Sequence, residues 1–261
     1  VLTIFSTGTT YALNHSGTIT SSETWTLAGS PHIVTGTVDV RNGATLTINP
    51  GCLVKFNYST GLYIGLNGGS ALNAVGTSVD PITFTSNESS PAAGDWQGIL
   101  FGNLTNDGST TVHYCTVEYG GNGDNNSNVY CASASPALQH CIIRNSDGYG
   151  IYTTGSAAQP LISCSAITNN DYGVYASDSA NPTIGDCSIT VNTTYGVYSD
   201  SSSNTIDAEN NWWGNADGPG GVGSGSGDAV SSYVDFTPWR TAFDSCLLTI
   251  DLSPLSGTNF V

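Results

Sequence analysis

Tyr149-Gly150-Ile151-Tyr152, Tyr172-Gly173-Val174-Tyr175 and Tyr195-Gly196-Val197-Tyr198 are three copies of one phrase. Each glycine follows a cysteine by nine residues: Cys141 to Gly150, Cys164 to Gly173, Cys187 to Gly196, with the cysteines 23 residues apart. Pro160 and Pro182 each stand shortly before the next cysteine segment. Fixed-period self-similarity of this length marks a solenoid or array. Within a unit the alternation has the strand period of two, so Cys141 and Ile143, Cys164 and Ala166, and Cys187 and Ile189 are expected to face inward, with Ile142, Ser165 and Ser188 between them. No unit carries a helical stripe or enough apolar residues to close a core alone, so the copies must stack and share one. The spacing predicts an all-β, right-handed, single-stranded parallel β-helix of about 20–23-residue coils. Roughly ten or eleven coils, about 4.8 Å apart, would make a rod on the order of 50 Å long.

The register continues outward from these copies. Cys115 and Val117 match the cysteine strand one coil earlier, and Val129-Tyr130 matches the later pairs, with the excess length in the Gly120–Asn128 turn. Asn210 falls where the next cysteine is due and Trp212 where the next isoleucine is due, so asparagine is expected to end the ladder and tryptophan to plug it. Earlier strands read at Val38–Val40, Leu46–Ile48, Val54–Phe56, Leu62–Ile64, Ile82–Phe84 and Ile99–Phe101, punctuated by Asn42-Gly43, Pro50-Gly51 and Asn67-Gly68-Gly69 turns. The organisation expected is an N-terminal cap with first strands at 1–37, including Trp25, the β-helix at 38–240, and a C-terminal tail or start of a further module at 241–261. Within the β-helix, a loop runs to Gly227 and a final strand covers Val234–Trp239.

Composition agrees and excludes. Four Lys+Arg stand against twenty Asp+Glu, a net charge of -16 in 261 residues, which repels phosphate backbones and argues against nucleic-acid partners. Met is absent and only 9% of residues are charged, a poor helix vocabulary. No apolar run approaches the roughly 20 residues of a membrane helix. Starting at Val1, the chain reads as the mature or excised part of a secreted precursor.

Leu46-Thr47-Ile48-Asn49-Pro50-Gly51, Val54-Lys55-Phe56, Pro81-Ile82-Thr83-Phe84-Thr85-Ser86, Asp95-Trp96-Gln97-Gly98-Ile99 and Asn210-Asn211-Trp212-Trp213-Gly214 with Asp217-Gly218-Pro219 together resemble secreted right-handed β-helix repeat proteins of microbial cell surfaces, over about residues 20–240. The resemblance implies a module of a larger surface or exported protein; it supplies no catalytic residue.

Parallel β-helices also house pectin and alginate lyases, polygalacturonases and epimerases. A lyase needs a basic residue for the α-proton and acids to hold Ca²⁺ against a uronate. The basic candidates are Arg41, Lys55, Arg144 and Arg240. The register puts Arg144 beside Glu118 on the outer face of adjacent coils, where an exposed ladder salt bridge worth about 0–1 kcal/mol is the expected role. A glycosidase needs two flanking carboxyls, and neither the acidic doublet nor the Gly-His-Gly associated with β-helix glycosidases is present. The four histidines, His15, His32, His113 and His140, make no short-spaced metal pair. Cys115, Cys141, Cys164 and Cys187 are expected as an inward ladder of reduced thiols, with Cys131 a candidate for a bridge across the core.

Tyr130, Tyr152, Tyr175 and Tyr198 each follow an inward aliphatic residue and are expected outside, stacked coil over coil, beside Tyr149, Tyr172 and Tyr195. Such a stripe binds sugar rings, packs against another subunit, or stacks only on itself. The Gly120–Asn128 turn emerges beside it, and Asp124 with its asparagine neighbours offers oxygens for Ca²⁺, the one cofactor considered. Asn14, Asn57, Asn87, Asn103, Asn125 and Asn192 lie in glycosylation sequons. The reading is a non-catalytic extracellular structural or adhesive scaffold of a microbial cell surface. Its expected partner is itself, end to end or laterally, through a donated Cys246–Ile250 strand, or a surface polysaccharide. The alternative is a carbohydrate-binding module, or a lyase or glycosidase acting on acidic glycans.

Overall fold

Val38, Leu62, Ile99, Val129, Ile151, Val174 and Val197 form one inner row, each the register partner of the next across parallel strands, and none more than 1% exposed. The chain is a right-handed parallel β-helix; a computed structural model describes residues 12–242 of it. Each coil contributes three strands. Two lie on the arms of one large sheet joined through the long strand His32–Val40, and the third lies on a separate nine-stranded sheet. Every strand pairing is parallel. Nine rungs among the described residues are fewer than the ten or eleven anticipated, and give a stack of about 40 Å at 4.8 Å per step.

Coil length explains the shortfall. The inner row advances by 22 residues from Val129 to Ile151 and by 23 at the next two steps, but by 24 from Val38 to Leu62 and 37 from Leu62 to Ile99. The early coils carry turns that add length without adding a rung. Leu13–Ile19 and Glu23–Trp25, both within the segment assigned to the cap and first strands, already pair in parallel with His32–Val40 and Thr45–Ile48. Trp25 is buried there, stacked on His15 at 4.1 Å and His32 at 5.2 Å between centroids.

The even 23-residue cysteine spacing conceals a register shift. Ile142 pairs with Ala166 and Ala166 with Ser188, so the coils are 24 and then 22 residues long. Ser165, not Cys164, occupies the rung between Cys141 and Cys187, and Ile167, not Ala166, follows Ile143 in the core. Cys164 instead sits on the corner, with φ +48°. The same left-handed corner is held by Tyr114, His140, Asp186 and Asn210. The shift repeats at the C-terminal end, where Asn210 takes the corner, Asn211 the cysteine rung and Trp213 the place beyond Ile189. Asparagine and tryptophan do end the stack, each one residue later than expected.

This rung does more than fill space. A left-handed corner turns the preceding carbonyl inward, and the rung side chain bonds it. Cys115 Sγ donates to His113 O at 3.4 Å, Cys141 Sγ to Gln139 O at 3.3 Å, Ser165 Oγ to Ser163 O at 2.8 Å and Cys187 Sγ to Gly185 O at 3.3 Å. Thiol, hydroxyl and amide are interchangeable here because each carries a small donor. Asn211 Nδ2 donates to Ile184 O and Ala208 O, while its Oδ1 accepts from Cys187 N.

Beyond Trp213 the glycine-rich stretch is not wholly a loop. Pro219–Gly221 and Gly227–Val230 add two parallel strands to the large sheet. The final strand is only Val234–Asp235, after which Trp239 packs over Gly218 and Arg240 turns back to bond Asn210 O and the Asp186 carboxylate. The Cys246–Ile250 segment lies outside the described residues.

The corrected register is testable by denaturant melts. Ile167→Ala removes a fully buried side chain and is expected to cost about 2–5 kcal/mol. Ala166→Ser is expected to be nearly neutral, because Ser188 fills the same row one coil on. The reverse ranking would restore the uniform 23-residue register.

Acid should also loosen the fold. Burial first, and a neighbouring histidine second for His15 and His113, holds His15, His32 and His113 below 6.5; the bond to Thr26 O and then Glu23 oppose this at His32, and Glu23 at His15. Their neutral-state stabilisation is complete above 6.5 and is lost as pH falls through the lower folded values. The thermal midpoint is expected to fall as pH drops below 6.5, and His15→Gln with His32→Gln should flatten that slope.

Candidate functional site: a stacked tyrosine face

The corners that set the inner rows also align the outer ones. Tyr130, Tyr152, Tyr175 and Tyr198 are register partners, as are Tyr149, Tyr172 and Tyr195. Along the first row the ring centroids lie 5.1, 5.3 and 5.1 Å apart, and cross-row contacts such as Tyr149 to Tyr175 close to 4.7 Å. All seven rings are half-buried. The glycine inside each phrase is a packing requirement: a Cβ on Gly173 would stand 2.5 Å from Gly196 O, and one on Gly150 2.7 Å from Gly173 O. Only glycine lets successive coils approach closely enough for the tyrosines to stack.

Behind these glycines runs a ladder of side-chain amides. Asn170 Oδ1 accepts from Ser146 N at 3.0 Å, and Asn192 Oδ1 accepts from Asn170 N at 3.2 Å. The Asp228 carboxylate accepts from Asn192 N, Asn192 Nδ2 and Val191 N at 2.8–2.9 Å. This ladder holds the turns from which Tyr149, Tyr172 and Tyr195 emerge.

The tyrosine row begins earlier than its sequence signature. Tyr63 pairs with Leu100, and Leu100 with Tyr130. Tyr63 Oη donates to Gln97 Oε1 at 2.5 Å. Six rungs from Tyr63 to Tyr198 span about 24 Å. Sequence reading missed Tyr63 because the long early coils destroy the period; alternation around Leu62 and Ile64 was the available signal. The Gly120–Asn128 turn closes this end of the face, where Asn122, Asp124 and Asn125 line a cavity of about 240 Å³ with Tyr63, Gln97 and Leu100. Asp124 is exposed, and no group of three His, Cys, Asp or Glu side chains among the described residues could hold a metal ion.

Burial is the main cause that raises the phenols of Tyr130, Tyr149, Tyr172 and Tyr175 above 10, with Tyr175 at about 12. Asp171, Asp178 and Asp200 flank the face and push in the same direction. The phenols therefore stay neutral hydrogen-bonding groups. The face offers aromatic edges, hydroxyls and a negative border.

The other candidates separate from this face. Arg144 and Glu118 do pair across adjacent coils, Nε to Oε2 at 2.8 Å, but on the other arm of the large sheet. The pair is not the exposed bridge anticipated: Glu118 is 6% exposed and accepts a second bond from Thr85 Oγ1. Half-buried beside a buried carboxylate, Arg144 is bound to Glu118 and serves the stack. Cys52, Cys115, Cys131, Cys141 and Cys187 are free and buried, so Cys131 makes no bridge across the core; Cys164, on the corner, is disulfide-bonded. Of the sequon residues, Asn14 and Asn103 are exposed, while Asn57, Asn87 and Asn125 are partly covered. Asn192 is excluded as a glycan acceptor, because its buried amide is committed to Ile167 O and Asp228.

Residues 17–131 match the family model described as a pectate-lyase like β-helix domain, somewhat less than half of the 261 residues. No curated protein and no solved structure matches the chain.

Burial raises the Cys131, Cys115 and Cys187 thiols, Cys187 to about 12, so thiolate is scarce at neutral pH. Alkylation mapped by mass spectrometry is expected to leave all five buried thiols unlabelled in the native protein and to label them after denaturation. Rapid native labelling of Cys115 or Cys187 would show that the rung is open to solvent.

Proposed function

We propose that the rod is an extracellular, non-catalytic scaffold that holds a neutral polysaccharide along its tyrosine face. The observation that carries this reading is the in-register double row of half-buried tyrosines, kept straight by glycine close approach and an amide ladder. A self-stacking stripe would stabilise a sheet without needing the extension through Tyr63 or the flanking acids. Polysaccharide-acting β-helix domains are typically extracellular, and no helix of the described residues is long and apolar enough to cross a membrane.

The name of the matching family favours a second reading, cleavage of an acidic glycan. Against it stand the -16 charge, the acidic border and the commitment of Arg144 to Glu118. The two readings separate in one assay series. Tyr152→Ala with Tyr175→Ala is expected to abolish retention on an insoluble neutral polysaccharide with little change in melting temperature. Incubation with polygalacturonate and Ca²⁺ is expected to release no unsaturated product. Product release that vanishes in Arg144→Ala would establish the lyase, and unchanged retention of the double variant would remove the tyrosine face as the binding surface.

A further inference from the structure

At the C-terminal end of the tyrosine face the large sheet gains Gly227–Val230, and the pairing of Val197 with Val230 sets Asp228 one rung beyond Tyr195. There the chain opens a groove of about 600 Å³ between the turn 190–194, the Trp212–Gly214 segment and residues 226–229. That volume lies within the range of small-ligand sites. Trp212 lines it with a half-exposed ring, and its backbone is held by bonds from Trp212 N to Cys187 O and from Ile189 N to Trp212 O, so the indole is free of the stack's own pairing. Trp213 also lines it, fully buried, with an Nε1–H that has no acceptor. Asp228, which also lines the groove, accepts three N–H bonds and keeps lone pairs for hydroxyl donors.

We propose that this groove is a terminal subsite for an uncharged sugar, stacked on Trp212 and hydrogen-bonded through its hydroxyls to the Asp228 carboxylate. An aromatic platform beside a carboxylate acceptor matches the two faces of a pyranose, apolar C–H on one and hydroxyls at the rim. The same carboxylate disfavours a uronate. The inference rests on the reading of the tyrosine face as a glycan surface and gives that surface an end: one polymer chain lies parallel to the rod, with its terminal residue in the groove.

The test is intrinsic tryptophan fluorescence of the full chain titrated with cellohexaose, xylohexaose and N-acetylchitohexaose, with hexagalacturonate as the charged control. At least one neutral hexamer is expected to perturb the emission saturably, and Trp212→Ala to weaken its binding about tenfold or more by calorimetry at unchanged melting temperature. Trp212→Phe, which retains a ring, is expected to keep part of the affinity and guards against loss through misfolding. Wild-type affinity in Trp212→Ala, tighter binding of hexagalacturonate, or no binding of any neutral hexamer would overturn the subsite. The two readings fail separately. Loss of polymer retention in the Tyr152/Tyr175 double variant without any Trp212 effect sinks the groove alone, and hexamer binding that needs Trp212 but not the tyrosines sinks the face alone.

Discussion

In-register parallel stacking is the constraint from which the rest of this molecule follows. Each side chain sits about 4.8 Å from the residue in its own position one coil away, so every row must tolerate being next to its own kind. Aliphatic rows meet that condition through burial, as from Val38 to Val197. Tyrosine rows meet it through ring contacts at 5.1–5.3 Å. Asparagine rows meet it because an amide is both donor and acceptor and can bond its own copy, as Asn170 does with Asn192. Rows of like charge meet it poorly, in keeping with a chain of which only 9% of the residues are charged. Glu118 and Arg144 fall in one row with opposite charges and pair, whereas Asp207 and Asp235 share a row at the exposed end of the stack, where water screens them.

The corners supply the second requirement. A coil of three short strands must turn sharply, and here it turns through residues in the left-handed region at Tyr114, His140, Cys164, Asp186 and Asn210. The carbonyl before that corner accepts a backbone N–H from the neighbouring coil, as Gln139 O does from Tyr114 N, and the rung side chain adds a second bond to it. The cysteine, serine and asparagine rungs are thus one device written in three residues. At the last coil asparagine suits the rung best, since its amide satisfies two carbonyls while its oxygen takes Cys187 N, and Trp213 then covers the open apolar row. Trp25 closes the opposite end with His15 and His32.

The proposed glycan role draws on the same geometry. A rod built this way has little freedom to close around a ligand, but it presents a straight, rigid surface whose repeat is set by the coil spacing. The tyrosine face, the Asp124 turn at one end and the Trp212 groove at the other lie on one line, and a long polymer is the ligand shape that such a line can use.

Periodicity and chemistry of single residue types were legible in the chain itself. The 23-residue repeat dictated stacking, period-two alternation dictated which aliphatics are inside, and the residue after each was placed outside, which located the tyrosine rows. These are local consequences of strand geometry and burial. Tertiary structure alone decided the register, because a coil's length is set where its corner residue enters the left-handed region. One added residue in the coil after Cys141 and one fewer in the next sum to the same spacing, so Cys164 looks like a ladder member although Ser165 holds the rung. The same ambiguity moved the terminal pair from Asn210 and Trp212 to Asn211 and Trp213. Long-range proximity was equally hidden. Tyr63 joins the tyrosine row, and Asp228 meets Asn192, only because intervening loops of different length return the chain to one axis, and no local pattern records where a loop returns.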